Sequence, residues 1–287
     1  MIQAQIAGLS VELNGGDPSF FPNRFREYEA PFERADLSLS LSRLSEIAEP
    51  IGTVIAQSEA FTLSRAENGD LYRYTFGRKT GKILHVCRST PDYATWEFQL
   101  WEKRRHSTLS LTDFEYLYSG EAFSNRLAYM GGLVMHGSAI SFDGKGVVFS
   151  APSGTGKSTH ASLWKQSYAD RVVQINDDKP AIRFVENVPY VFGTPWSGKT
   201  DTNANASAPL HAIVFLEQAP YNEITPLSEM EAMMHIHRET VRPFYDEALG
   251  LRVLDTTEQL LRSVPAFLLK CTISEQAVEQ VKQILTW

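Results

Sequence analysis

Cysteine and positive charge are both scarce in this sequence. Only two cysteines, Cys87 and Cys271, occur among the 287 residues, and both stand in apolar surroundings. Two such distant cysteines argue against a disulfide framework or a metal site and predict buried thiols in a reducing compartment. The formal net charge of -7 argues against a nucleic-acid partner, because proteins that bind nucleic acids present a basic face.

Long hydrophobic runs are missing as well. No apolar segment approaches the roughly 20 residues that a membrane-spanning helix needs. The first residues, MIQAQIAGLSVELNGGD, lack the basic segment followed by an apolar stretch that marks a signal peptide. We therefore expect a cytoplasmic protein that has no membrane partner.

The pattern of apolar residues changes ahead of the midpoint of the chain. In the first third they recur at every second position, and Asn68-Gly69 separates two such runs, which predicts strands joined by a hairpin. The later segment LTDFEYLYSGEAFSNRLAYMGG spaces them by three and four, as a helix does. We predict a β-rich N-terminal domain at residues 1–125 and a nucleotide domain at residues 126–287.

The segment FSAPSGTGKST indicates a phosphate-binding loop. Gly154 and Gly156 allow backbone N–H groups to turn towards a phosphate, and a helix is predicted to follow. In the pattern G-x-x-x-x-G-K-[ST], which the sequence breaks only at Ala151, Lys157 reaches phosphate oxygens and Ser158 binds Mg²⁺. A chance glycine-rich turn is the alternative. The residues predicted to bind the nucleotide are Ser153, Gly154, Thr155, Gly156, Lys157, Ser158 and Thr159.

Two acids, Asp177 and Asp178, follow the apolar run VVQIN. Ligands of open α/β sheets bind beyond the carboxyl ends of the strands, so we expect both acids at the same edge as the loop. One carboxylate can bind Mg²⁺, and the other can take a proton from a hydroxyl. A solvated surface turn is the alternative.

Further candidates lie on either side of these motifs. His136 is predicted to lie on a strand next to the one that leads into the phosphate loop, where it is either a core residue or part of the active site. The polar loop from Gly193 to Asn205 is long enough to predict a mobile, functional segment, with an exposed connector as the alternative. We expect Trp196 to pack on an acceptor and Lys199 to offset charge on a phosphoryl group in transit.

The segment HIHRE superficially suggests a metal site. His235 and His237 are two residues apart and would face different sides of a helix, so we reject that interpretation. Arg238 and Arg242 remain weak candidates for phosphate contacts.

The loop with S-G-x-G-K-S, the histidine before it and the strand ending in Asp-Asp together resemble the C-terminal catalytic domain of HPr kinase/phosphorylase. That family shares its nucleotide core with the phosphoenolpyruvate carboxykinases, and the resemblance covers roughly residues 130–285. It implies an α/β fold, a P-loop nucleotide domain of this type beside the smaller β-rich domain, and it leaves a homo-oligomer open. Some short relatives phosphorylate a serine of a ribosomally made peptide, as the lasso-peptide kinases do.

The resemblance also implies roles for particular residues. Lys157 would bind the phosphates, Ser158 and Asp177 the metal, Asp178 would be the base, and His136 would lie in the active site. The sequence departs from the HPr enzymes at Thr159, where they have glutamate, and in the segment GTPWSGK, where they have an arginine- and glycine-rich signature. Both departures argue against HPr as the substrate and against phosphorolysis.

We therefore predict a kinase that uses ATP and Mg²⁺ to phosphorylate a hydroxyl, foremost a serine of a peptide or protein. A kinase for a small hydroxylated metabolite and a nucleotide-binding regulatory protein without transferase activity are the alternatives. A pure nucleotide binder has no need of a base, so the Asp177-Asp178 pair favours an enzyme. The sequence leaves the choice between ATP and GTP open.

Overall fold

The structure, a computed structural model, describes residues 1–198, 201–243 and 245–285. The protein is a mixed α/β protein with two β-sheets. Its residues form two compact units, Met1–Arg126 and Leu127–Trp287. Among the described residues, no helix combines the length and the apolar character that crossing a membrane requires.

The first unit is built on an eight-stranded sheet with the strand order β1-β2-β3-β8-β7-β6-β5-β4. Its strands are β1 (Ile2–Ile6), β2 (Leu9–Gly15), β3 (Leu37–Leu44), β4 (Thr53–Gln57), β5 (Phe61–Arg65), β6 (Leu71–Phe76), β7 (Ile83–Ser89) and β8 (Thr95–Trp101). Two helices begin in this unit, α1 (Phe21–Phe25) and α2 (Leu111–Tyr129).

Alternation of apolar and polar residues determines which side chains of this sheet enter the core. In β3, with the sequence LSLSLSRL, Leu37, Leu39 and Leu41 are buried, because successive side chains of a strand point to opposite faces. The hairpin predicted at Asn68-Gly69 is confirmed: β5 and β6 pair antiparallel around it, and Gly69 has a φ of +90°.

The described residues of the second unit form nine strands and four α-helices. The strands are β9 (Leu133–Val134), β10 (Gly137–Phe142), β11 (Lys145–Ser150), β12 (Val172–Asn176), β13 (Ala181–Val185), β14 (Val188–Phe192), β15 (Ser207–Gln218), β16 (Glu223–Pro226) and β17 (Ala266–Cys271). The helices are α3 (Lys157–Tyr168), α4 (Glu229–Glu239), α5 (Glu247–Leu261) and α6 (Glu275–Ile284).

The direction of the strands brings four carboxyl ends to one edge of this sheet. β10 pairs antiparallel with both β11 and β12, so β11 and β12 run in the same direction. β15 pairs parallel with β11 and with β17. The order along this edge is therefore β12, β10, β11, β15, β17, and the segments that follow β11 and β12 leave the sheet on the same side.

Helices cover both faces of the sheet. α3 and α6 share one core with it, in which Trp164 and Val281 are fully buried beside Phe149. On the opposite face, the Phe215 ring stacks on His235 of α4, with the ring centroids 4.6 Å apart. The edge with the carboxyl ends is thus flanked by helices on both sides, where ligands of open α/β sheets bind.

Candidate functional site

The segment of residues 151–156 joins β11 to α3 and has the backbone of an anion-binding loop. Gly154 and Gly156 have φ angles of +83° and +114°, in the left-handed region that glycine adopts without strain. A Cβ at either position would meet no atom within 4 Å. Glycine is therefore required here by backbone conformation and not by crowding, and the loop stays open for a ligand beside the N-terminus of α3.

Lys157, the first residue of α3, turns its side chain back over this loop. Its Nζ donates hydrogen bonds to the carbonyl oxygens of Ala151, at 2.8 Å, and Pro152, at 3.3 Å. Burial lowers the pKa of Lys157, and nearby negative charge opposes that shift. The charge comes from three carboxylates, those of Glu239, Asp178 and Asp177. The lysine thus connects the phosphate loop electrostatically with a cluster of acids.

Asn176, the last residue of β12, holds the two acids in a turn. Its Oδ1 accepts hydrogen bonds from the backbone N–H groups of Asp178, at 2.9 Å, and Lys179, at 2.7 Å. Its Nδ2 donates to the carbonyl oxygen of Thr194 at 2.8 Å, and the Thr194 hydroxyl donates to the carbonyl oxygen of Lys179. Asn176 and Thr194 are both fully buried, so the turn is fixed from within the protein.

Asp177 lies at the predicted edge, beside the end of β10. The Ser138 hydroxyl donates a hydrogen bond to its Oδ1 at 2.9 Å, and the Gln174 amide donates to the same hydroxyl at 3.1 Å. The carboxylate is half-buried, which leaves it able to bind a further ligand.

Asp178 lies between two basic side chains. Its Oδ1 is 3.3 Å from Nε2 of His136, and its Oδ2 accepts a hydrogen bond from Nζ of Lys179 at 2.6 Å. Burial alone would raise the pKa of Asp178, but the hydrogen bond from His136 and the charge of Lys179 outweigh burial and lower this pKa to about 2. The carboxylate is therefore ionised at neutral pH.

Glu239 completes the cluster, although no sequence motif predicted it in this position. Its Oε2 is 3.7 Å from Nδ1 of His136, and its carbonyl oxygen accepts the His136 backbone N–H at 2.7 Å. Arg238 donates a hydrogen bond to its Oε1 at 2.9 Å. His136 thus stands between two carboxylates, in the bend between β9 and β10 and not on a strand, as the sequence had suggested.

The loop from Gly193 to Asn205, which the sequence predicted to be mobile, packs against β12 in its described part. Thr194, Trp196 and Ser197 are buried, and Trp196 has only 2% of its surface exposed. The backbone N–H of Ala204 donates to the carbonyl oxygen of Ile175. The role predicted for Trp196, packing on an acceptor, is therefore wrong, because its side chain is already enclosed by the protein.

Gly198 brings the same loop directly against the predicted base. It has a φ of +70°, and a Cβ built on it would lie 3.1 Å from Cβ and 3.2 Å from Cγ of Asp178. Only a glycine fits this position without displacing the carboxylate. Lys199, predicted to act on the phosphoryl group, lies outside the described residues.

A cavity of about 460 Å³ opens beside the phosphate loop, on the side of α4. Its walls come from the loop, the end of β15, Leu268 of β17, and the α4 residues His235 and Arg238. Arg238 joins this cavity to the acid cluster through its hydrogen bond to Glu239. The site therefore has room for a second small group next to the phosphate loop.

Magnesium would find oxygen ligands in this site. Ser158 and Thr159 are exposed in the first turn of α3, and Asp177 lies at the same sheet edge. Hydroxyl and carboxylate oxygens suit Mg²⁺, which binds through one or two protein ligands plus phosphate oxygens and water. Within the described ranges, no three His, Cys, Asp or Glu side chains come together as a metal site on their own.

The histidines of the segment HIHRE have separate surroundings. His235 stacks on Phe215, whereas His237 lies 2.6 Å from a guanidinium nitrogen of Arg242. Arg242 also donates to the carbonyl oxygen of His237. Arg242 is thus engaged at the end of α4, and of the two arginines only Arg238 lines the cavity beside the loop.

Comparisons with known proteins place this region among related sequences. The model of one protein family, described as SynChlorMet cassette protein ScmC, matches residues 121–286, more than half of the chain. One similar solved structure is the Hpr(Ser) kinase/phosphatase from Coxiella burnetii, at 14% sequence identity and a TM-score of 0.32, covering 53% of this chain and 87% of that chain. No curated protein matches the sequence.

Proposed function

The chain belongs to the family of the SynChlorMet cassette protein ScmC, and we propose that it is a kinase that phosphorylates a serine hydroxyl of a peptide or protein with ATP and Mg²⁺. In this proposal residues 127–287 are a P-loop nucleotide domain. The observation that carries it is the position of Lys157, which lies on the anion-binding loop and also faces the carboxylates of the acid cluster. Phosphoryl transfer requires positioned phosphates, a metal site and a base within one small space.

Each residue of the site has a part in this reaction. The backbone N–H groups of the loop and the ammonium of Lys157 hold the phosphates of ATP, and Ser158 and Asp177 provide oxygens for the metal. Bound magnesium would offset negative charge on the phosphate oxygens. Ser138 orients the Asp177 carboxylate through its hydrogen bond at 2.9 Å.

The acceptor hydroxyl donates a hydrogen bond to the Asp178 carboxylate. The hydroxyl oxygen forms a bond to the γ-phosphorus, its proton passes to Asp178, and the bond from the γ-phosphorus to the β-phosphate oxygen breaks to release ADP. A carboxylate whose pKa is about 2 is a weak base, so its main contribution is to orient the hydroxyl for attack. His136 and Lys179 keep it in place from two sides.

A small hydroxylated metabolite is the second candidate for the acceptor. The cavity of about 460 Å³ favours it, because pockets of roughly 300–1,000 Å³ enclose small molecules. A peptide serine would enter the same cavity from its open side. Arg238, with 56% of its side chain exposed, would attract an acidic group of either acceptor.

The experiment that tests the kinase proposal supplies γ-labelled ATP and Mg²⁺ with a library of serine peptides, and in parallel with the same library carrying alanine for serine. We expect label in the serine library only. Label in a pool of small hydroxylated compounds but in neither library would identify a metabolite kinase. Absence of labelled product with all acceptors, while ATP still binds, would leave a nucleotide-binding protein without transferase activity.

Gly198→Ala should slow turnover without weakening ATP binding. The new Cβ would lie 3.1 Å from Cβ of Asp178, so the two groups must separate by a few tenths of an ångström. Because displacements of about 1 Å can reduce rates on the order of 100-fold, we expect this smaller shift to lower kcat by up to roughly tenfold. Steady-state kinetics and ATP titration of the variant measure both quantities.

Gly144→Ala is the matched control for this substitution. Gly144, in the turn between β10 and β11, has a φ of +80°, and a Cβ there would meet no atom within 4 Å. It therefore carries the same backbone strain without any contact to an acid. Equal kcat values for the two variants would show that the packing of Gly198 on Asp178 has no bearing on the reaction.

A further inference from the structure

A second cavity, of about 260 Å³, touches the other end of the phosphate loop. It lies on the α3 side of the sheet, and its walls come from the loop, from α3, and from the ends of β15 and β17. Its lining includes Thr155, Gly156, Leu163, Leu216, Gln218 and Ile273. Nothing in the kinase proposal has used this cavity.

The order of the strands fixes the direction in which a nucleotide extends from the loop. The acids follow β12, which is separated from β11 by β10, on one side of the loop. Both cavities lie on the other side, at the ends of β15 and β17. If the terminal phosphate faces Asp177 and Asp178, as the kinase proposal requires, the remainder of the nucleotide points towards these strand ends. The choice between the two cavities then depends on the face of the sheet on which each one opens.

The walls of the cavity suit a flat ring. Leu163, Leu216 and Ile273 offer apolar surface, and Ile273 is 74% exposed at its rim. Gln218 ties the rim to the loop, because its amide donates a hydrogen bond to the carbonyl oxygen of Thr155 at 3.1 Å. Apolar walls with a few polar groups are typical of small-molecule sites, and a volume of about 260 Å³ suits one ring system.

The larger cavity suits a base less well. It contains the guanidinium of Arg238, which is bonded to Glu239 of the acid cluster. A nucleobase placed there would lie beside Arg238, on the face of the sheet where the acceptor must enter. The nucleobase would thus bind in the smaller cavity on the α3 face of the sheet, and the acceptor would bind in the larger cavity on the α4 face.

We infer that the cavity of Leu163, Leu216, Gln218 and Ile273 binds the nucleobase of the nucleotide whose phosphates lie on the loop. The inference rests on the proposed kinase function. In this inference Ile273 contacts the flat face of the base, and Gln218 holds the rim of the cavity in line with the loop.

The test compares the affinities of Mg-ATP and of Mg-tripolyphosphate, which has the phosphates but no base, by calorimetric titration of the whole chain. The wild type should bind ATP roughly tenfold or more tightly than tripolyphosphate. Ile273→Ala should weaken ATP binding by about tenfold through lost apolar contact and change tripolyphosphate binding by less than about twofold. Met230→Ala, which removes an apolar side chain that is 70% exposed on α4, should change neither.

The outcomes separate the inference from the kinase proposal. If tripolyphosphate binds but Ile273→Ala binds ATP like the wild type, the base lies elsewhere and the inference is overturned. A selective loss of ATP binding in His235→Ala would then assign the base to the larger cavity. If neither ligand binds the wild type, the phosphate loop has no such function, and both proposals fall together.

Discussion

Asp178→Asn is expected to lower phosphoryl transfer by about two to four orders of magnitude, because it removes the carboxylate that both orients the acceptor hydroxyl and accepts its proton. The substitution keeps the shape of the side chain, and the backbone N–H still reaches Asn176. It removes the negative charge that holds the hydroxyl proton. ATP binding should remain, since Lys157 and the loop are unchanged. Single-turnover transfer and ATP titration of the same preparation measure the two effects.

Asp177→Asn is the matched control, because it neutralises the neighbouring carboxylate. This variant should weaken the dependence of ATP binding on Mg²⁺ and reduce transfer through the metal. If the two variants exchange their effects, the base and the metal ligand are interchanged and the mechanism stands. Wild-type transfer in both variants would mean that the acids form only a surface turn, which contradicts the kinase proposal.

The pH dependence of the reaction offers a second measure of Asp178. Its pKa of about 2 lies below the ordinary value of 3.8, so the carboxylate stays ionised at every pH above roughly 3. The activity that depends on its charge is lost only as the pH falls through about 2. Between pH 5 and pH 9, a plot of the transfer rate against pH should therefore show no change that arises from the titration of Asp178.

Lys157→Ala should remove most or all of the stabilisation of the fold by Mg-ATP. In the wild type, a ligand at about one hundred times its Kd adds about 2.7 kcal/mol to the free energy of unfolding. Removing a buried charged partner of the phosphates costs on the order of 2–5 kcal/mol of binding, enough to remove most or all of that gain at the same ATP concentration. The acids that face Lys157 would then repel the phosphates without compensation. Thermal melts with and without Mg-ATP provide the measurement.

Lys165→Ala is the control for this experiment. Lys165 belongs to the same helix, and its Nζ donates to the carbonyl oxygen of Val172 at 3.1 Å, away from the loop. Whatever the melting temperature of the variant without ligand, its shift on adding Mg-ATP should match that of the wild type. Equal shifts in Lys157→Ala and the wild type would contradict the assignment of Lys157 to the phosphates.

Local patterns were sufficient to predict the main parts of the second unit. The segment predicted to bind phosphate lies between β11 and α3, and the acids follow β12, as the sequence indicated. Each of these features depends on residues adjacent in the chain: glycines that permit a positive φ, and an apolar run that ends in polar residues. The roles of these residues in catalysis stay predictions, tested by the variants above.

Long-range contacts were beyond the reach of such patterns. Glu239 comes to His136 because residues at the end of α4 pair with the segment before β10, about a hundred positions away in the chain. The role of Asn176 could not be predicted either, because its contact with Thr194 depends on how the later loop returns to β12. Trp196 was misinterpreted because a polar loop suggested exposure, whereas the loop folds inward and buries it.

The hydrogen bond between Asn176 and Thr194 also limits how the protein can be altered by evolution or by engineering. Asn176 bonds the carbonyl oxygen of Thr194 and the backbone N–H groups of Asp178 and Lys179. An apolar residue at position 176 would therefore remove the partner of three backbone groups, at a cost of about 1–3 kcal/mol for a buried one. Because Thr194 accepts through its backbone, no change of the side chain at position 194 can compensate for that loss. Position 176 should therefore tolerate little change, and a loop transplanted to alter acceptor choice must keep a carbonyl oxygen within reach of Asn176.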